Sequence, residues 1–247
     1  MGRLESIIRG VVYQPRKIMI YGVHGVGKST FAAGAPKPIF IQTEDGLANI
    51  DCAKFPVSKS YDDVIENLRA IHDDDHKFET LAIDSLDWLE RLIWDKVCKD
   101  KNVSSIDEIG YAKGYGFAMS HWKKIFEALD AIRAKRKMLV VLIAHAKVER
   151  HEDPETEGYD RFAPRLHKSA SGLVQEWADE VMFANFKVYT KKSGEGFNEK
   201  TKAIGGEERI LRTQYRPAAV AKTRCVDLPF EIPLDWNSYY THIKEKK

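Results

Sequence analysis

Gly22, Gly25 and Gly27, followed without a gap by Lys28, Ser29 and Thr30, are the part of this chain best equipped for chemistry. With no side chains at the three glycines, successive backbone N–H groups can converge on a row of phosphate oxygens. Lys28 is a cation long enough to reach the outer phosphates, and the Ser29 hydroxyl suits a hydrated Mg²⁺ ion. A dinucleotide fingerprint needs the order GxGxxG, whereas these glycines read GxxGxG and run into Lys-Ser, which excludes hydride-transfer chemistry. The pattern is a phosphate-binding P-loop.

Three more places carry reactive side chains. PIFIQTEDG ends a short apolar run with Glu44 and Asp45, two carboxylates conspicuous beside a P-loop that could also simply make a turn or helix cap. LAID ends in Asp84, the residue type that helps hold Mg²⁺ beside a P-loop and one that can equally cap the next helix. LIAH ends in His145, which could sense an outer phosphate or be an ordinary strand-end histidine.

These residues need elements to position them. Ile18 to Tyr21 reads as a short buried strand feeding the loop, and a helix from Lys28 to about Ala33 is stopped by Gly34, Ala35 and Pro36. Ile39 to Gln42 and Leu81 to Ile83 are two further buried-type strands. Between them Val64, Leu68 and Ile71 share one helical face, capped by Ser60 or Asp62. A helix from Leu86 to Val97 follows Asp84 and Ser85, with Asp87 expected as a surface acid that complements the helix dipole. Residues 101 to 116 are expected to be a loop with at most a short helical piece, and Tyr111, Lys113 and Tyr115 there suit either base stacking or packing. His121 to Lys137 is an amphipathic helix with Trp122, Ile125, Phe126, Leu129 and Ile132 on its apolar stripe.

Leu139 to Ile143 is the most continuously apolar run, as a central parallel strand should be. In open α/β sheets ligands lie outside the carboxyl ends of the strands, which would bring Asp84, His145 and the P-loop to one edge. Residues 146 to 170 then read as a long polar loop, acidic in its first half and basic in its second, suited to a nucleic-acid backbone or to plain solvation. A short helix over Leu173 to Ala178 and a strand over Glu180 to Phe186 follow. Phe186 to Tyr189 and Arg209 to Thr213 pair as an antiparallel hairpin with a long tip.

The 247 residues are 43% apolar and 31% charged, an ordinary globular composition large enough for a sizeable core. A formal charge of +2 gives no general attraction to nucleic acid. Cys52, Cys98 and Cys225 lack metal-ligand spacing and read as small hydrophobes in a reducing compartment. No signal peptide and no membrane span is evident, and neither is an internal repeat or a linker, so a single domain over 1–247 in the cytoplasm is expected.

The order of these pieces resembles the RecA-like ATPases. More closely, the chain is similar to phage-encoded AAA-type ATP-binding proteins, the group that includes minimal RecA-like single-strand annealing ATPases. The likeness spans about residues 15 to 235. It is carried by GVHGVGKST, IQTEDG, LAIDSLDWL with the following YAKGYG and HW, LIAH, PRLHKSASGLVQEWADEV, and AKTR before DLP. The resemblance implies an α/β, RecA-like P-loop NTPase core with a mostly parallel central sheet and a C-terminal antiparallel hairpin. It implies ATP and Mg²⁺ as ligands, with the metal at Ser29 and Asp84. Glu44, or the adjacent Asp45, would activate water, and His145 would relay nucleotide state toward segment 146 to 170. Lys222 and Arg224 would reach the γ-phosphate of a neighbouring subunit, hence a homo-oligomer, with single-stranded DNA as partner in a phage-infected cell. A nucleotide-gated interaction protein with slow turnover is the alternative, and a small-molecule kinase is a third.

Overall fold

A computed structural model of the chain describes residues 3–10, 14–193, 200–224 and 227–243. Its centre is β1 (Lys17–Gly22), whose Ile18, Met19, Ile20 and Tyr21 are fully buried. Around it lie β2 (Pro38–Gln42), β3 (Ala53–Lys54), β4 (Thr80–Asp84), β5 (Leu139–His151), β6 (Tyr159–Pro164), β7 (Glu180–Ser193), β8 (Lys200–Arg212) and β9 (Glu231–Pro233). The strand order is β3-β2-β4-β5-β1-β7-β8-β9, with β6 paired to β5 off this path. Pairings from β3 through β7 are parallel; β7 with β8, β8 with β9 and β5 with β6 are antiparallel. This is the expected α/β arrangement, a mostly parallel central sheet with an antiparallel C-terminal hairpin, with the parallel strands read as near-continuous apolar runs because both faces are covered.

On one face pack α2 (Tyr61–Asp73), α3 (Leu86–Lys101), α4 (Lys113–Arg136) and α5 (Lys168–Trp177). On the other pack α1 (Lys28–Ala33) and α6 (Trp236–Ile243). Ser60 caps α2 as expected, in a reciprocal box in which its hydroxyl accepts from Asp63 N at 3.1 Å and the Asp63 carboxylate accepts from Ser60 N at 3.1 Å.

A helix as short as α1 has too few internal bonds to hold itself, so it depends on packing. Phe31 lies 5.3 Å from the Trp236 ring and 5.8 Å from that of Tyr239, and Gly34 leaves room for Trp236 where a Cβ would come within 2.9 Å. The base of α6 is itself fixed by Tyr239, whose hydroxyl donates to the buried Glu180 carboxylate, which also pairs with Arg16.

Three expectations are corrected. The 101 to 116 stretch is not chiefly loop: a 3-10 turn over Ile106–Glu108 leads into α4, which starts at Lys113 rather than near His121. Gly114 misled the reading, because it serves close packing; a Cβ there would lie 2.6 Å from Ile106 O. The polar segment 146 to 170 is not a long loop either. β5 runs on to His151 and turns back as β6, so only 152–158 and 165–167 are connection, and α5 begins at Lys168. Outside the core a two-stranded ribbon needs no apolar run, and charged cross-strand pairs such as Arg161–Glu149 at 3.1 Å hold this one. The strands expected at 180 to 186 and 186 to 189 are one, β7, and β8 begins well before Arg209, so the hairpin expected there has long arms. Cys52 and Cys98 are free and half-buried, and Cys225 lies outside the described residues.

Candidate functional site

The carboxyl ends of β1, β2, β4 and β5 open on a cleft of about 320 Å³ lined by Gly25, Gly27, Lys28, Ser29, Thr30, Glu44, Gly46, Ile50, Asp84, His145 and Arg209. Sheet register explains the convergence. Gly22 stands opposite His145, Gln42 opposite Asp84 and Asp84 opposite Ile143, so β1, β2 and β4 end within two residues of one level, beside His145 of the longer β5. Thr43 Oγ1 donates to Ser85 O at 2.7 Å and accepts from Ser85 N at 2.9 Å, which ties the exits of β2 and β4 together. A larger groove of about 530 Å³ between α2 and α4 shares no residue with this cleft and has Ile65, Leu68, Ala128 and Ala131 in its lining.

The glycines divide their work. Gly27, at φ 108°, and Gly25, at φ 71°, hold left-handed backbone that side chains disfavour. Gly22 is required by crowding, since a Cβ there would sit 2.1 Å from Ala184 O on β7. Lys28 is buried and its Nζ donates to Gly22 O at 3.2 Å and Val23 O at 3.0 Å. Burial lowers its pKa, with the carboxylates of Asp84, Asp87 and Glu44 pulling the other way. Ser29 Oγ donates to Asp84 Oδ2 at 2.6 Å, and burial raises the Asp84 carboxyl against that bond.

Of the two neighbouring acids Glu44 lines the cleft while Asp45 is exposed and does not. Glu44 Oε1 lies 3.9 Å from His145 Nδ1. The His145 ring also stacks on His24 of the P-loop, centroids 4.1 Å apart, and the His145 charge is the main cause that lowers the His24 pKa.

Asp87 is corrected outright. It is no surface acid but 4% exposed, and it accepts from His145 N at 3.1 Å, meets His145 Nδ1 at 3.0 Å and accepts from Arg165 Nη2 at 2.5 Å. Burial would raise its carboxyl; the bonds and charges of His145 and Arg165 outweigh that and hold it well below the usual carboxylate range. One turn along α3, Glu90 is buried and accepts from His167 N at 2.9 Å. Two acids of α3 thus fasten the chain just after β6. Tyr115 is stacked on His167 at 4.2 Å, so it is occupied, whereas Tyr111 is fully open to solvent.

Lys222 and Arg224 are not brought to this cleft. Lys222 pairs with Val181 near the start of β7, the sheet edge opposite the P-loop, and its Nζ donates to Gln175 O at 2.7 Å. Arg224 pairs with Asp179 at 2.7 Å and is exposed. Arg209 was not among the expected site residues and does reach the cleft; it follows Glu207 and Glu208 in β8, a pattern that carries no signal of that placement.

The donor set suits Mg²⁺ and a polyphosphate. Mg²⁺ is held by one or two protein oxygens, with phosphates and waters completing its shell. The paired oxygens of Ser29 and Asp84 supply that number, and among the described residues no larger cluster of metal-binding side chains exists.

Fold and cleft together define a P-loop NTPase. A family profile described as AAA domain matches residues 14–225, and the chain belongs to that family. Membership carries nucleotide binding and the P-loop NTPase class of activity. Among solved structures, the crystal structure of the RadB recombinase is similar at TM-score 0.45 and 12% identity, over 85% of this chain and 86% of that one. No curated protein sequence matches. Among the described residues no helix is long and apolar enough to cross a membrane.

Proposed function

We propose that the chain is a single-domain, Mg²⁺-dependent ATPase of phage DNA recombination or repair, acting in the host cytoplasm on single-stranded DNA as a head-to-tail homo-oligomer. The observation that carries the catalytic part is the Ser29–Asp84 bond at the foot of the P-loop with Glu44 facing the same space. Lys28, released from its loop carbonyls, binds the β- and γ-phosphates while Gly22, Gly25, Gly27 and Thr30 shape and line the loop. Bound Mg²⁺ would supply charge neutralisation between the outer phosphates, and Ser29 and Asp84 would hold it. Glu44 orients and polarises the attacking water, and His145 holds Glu44 and Asp87 in fixed relation.

The DNA and oligomer parts draw support from two placements. Asp87 and Arg165 link the nucleotide edge to the β5–β6 hairpin, a route by which nucleotide state reaches a projecting element. Lys222 and Arg224 stand away from their own cleft, where a contribution to a neighbour's γ-phosphate has to come from.

Hydrolysis of ATP with and without single-stranded DNA, with Lys28→Ala as the blank, tests this. The wild type should turn over ATP, faster with DNA, and Lys28→Ala should lose at least about a hundredfold. Normal turnover by Lys28→Ala sinks the catalytic assignment. Turnover unmoved by DNA favours a second reading, a nucleotide-gated interaction protein. The acids Glu152, Asp153, Glu155 and Glu157 on the hairpin turn favour it, because they would repel a phosphate backbone.

A further inference from the structure

We infer that Arg209 is a second phosphate-contacting cation of this site, contributed by the same chain and directed at the α- and β-phosphates rather than the γ-phosphate. The inference rests on the nucleotide-binding reading above and adds to it a residue and a direction.

Strand order gives the direction. Glu44 follows β2, Asp84 ends β4 and His145 lies within β5, all on one side of β1. Arg209 comes from β8, two strands away on the other side. The reacting end of a bound triphosphate is marked by the Ser29–Asp84 pair and Glu44, so a group on the opposite flank meets the part nearer the nucleoside. The distance agrees: Arg209 Nη1 would lie 3.2 Å from a Cβ placed on Gly27, the residue just before Lys28.

The side chain is both held and available. Leu234 N donates to Arg209 O at 3.0 Å, fixing the backbone, and the guanidinium lies 5.8 Å from the Phe186 ring. Among the described residues it forms no ion pair. Glu208 pairs with Lys187 at 3.2 Å and Glu231 with the same lysine at 3.3 Å. An exposed guanidinium at the mouth of a polar cleft, without a carboxylate of its own, is suited to two parallel bonds to phosphate oxygens, which a lysine cannot make.

Equilibrium binding of ADP and of ATP to the full chain, with steady-state hydrolysis alongside, tests the assignment. Arg209→Ala should weaken both nucleotides about tenfold and raise KM by a similar factor with kcat within about twofold, and Arg209→Lys should recover only part of the loss. Because Arg209 is exposed, thermal unfolding without nucleotide should not move. Unchanged ADP affinity in Arg209→Ala overturns the inference while leaving the nucleotide site intact. A fall in kcat with ADP affinity kept overturns the α/β direction. A wild-type protein that binds neither nucleotide overturns the inference and the ATPase reading together.

Discussion

Glu90 shows what a single buried acid does to this protein. Burial pushes its carboxyl up to about 7, against the bond from His167 N and the charge of Lys147, which pull it down. The ordinary value is 4.5. Between those two values the folded chain keeps a proton that the unfolded chain has given up. Glu90 therefore favours folding fully below the lower value, and that advantage drains away as pH rises through the upper one. Glu90→Gln keeps an acceptor for His167 N without the charge, so it should gain on the wild type as pH rises, by on the order of 2 kcal/mol above neutrality. Denaturant unfolding at about pH 5 and about pH 8.5 reads this; an equal difference at both would show that Glu90 is not the titrating group. Neither Glu90 nor Asp87 was legible as buried from the sequence. Both lie in the first turns of a helix that shows ordinary amphipathic spacing, and only tertiary partners 58 to 78 residues away turn them inward. Lys28 and Ser29 stand out in the sequence because the P-loop motif is contiguous, and Asp84 because an apolar run ends in it; their convergence on one cleft depends on a pairing 55 residues apart.

At the scale of elements, α3 is the part that joins cleft to hairpin. Its Asp87 and Glu90 hold Arg165 and the His167 backbone, so helix, strand end and ribbon share one set of bonds. Removing one member leaves the other buried and uncompensated, which costs more than removing both. Asp87→Asn should lower stability by about 2 kcal/mol, discounted from a fully buried pair because Arg165 is partly exposed, and the pair of changes Asp87→Asn with Arg165→Gln should cost clearly less than the sum. A strictly additive double-mutant cycle would remove the coupling from the account. The parallel strands β1, β2, β4 and the core of β5, and the helix α2, were readable from apolar runs and a Ser60 or Asp62 cap, since local pattern decides them. The β5–β6 ribbon was not, because a projecting ribbon is held by cross-strand charges and its sequence is polar throughout. The start of α4 was hidden for a different reason: Gly114 looks like a loop residue until the turn packed beside it is seen.

For the whole molecule, the decisive fact is that the cleft and the Lys222–Arg224 segment occupy opposite edges of one sheet. Copies stacked head to tail would place one edge against the other, an arrangement that can repeat without limit or close into a ring. Lys28→Ala and Arg224→Ala should each be nearly inactive alone. Mixed in equal amounts they should recover hydrolysis to about a quarter of wild type, since about one junction in four pairs an intact loop with an intact arginine. Arg224 gives up only an exposed ion pair with Asp179, so the fold should tolerate its loss. No recovery on mixing would mean that each copy completes its own site. The parallel core and the antiparallel β7–β8 edge were both readable in advance, whereas the spatial separation of Arg224 from Lys28 needed the strand order.

The six-residue helix behind the P-loop rests on Trp236 and Tyr239 of the last helix. A loop that must wrap phosphates thus takes its rigidity from side chains more than two hundred positions further along the chain. During synthesis the loop emerges well before the helix that backs it, with some two hundred residues made in between. The capacity to grip a nucleotide is therefore a late acquisition of the folding chain, and a ribosome-bound fragment without the last helix has the motif but not its foundation.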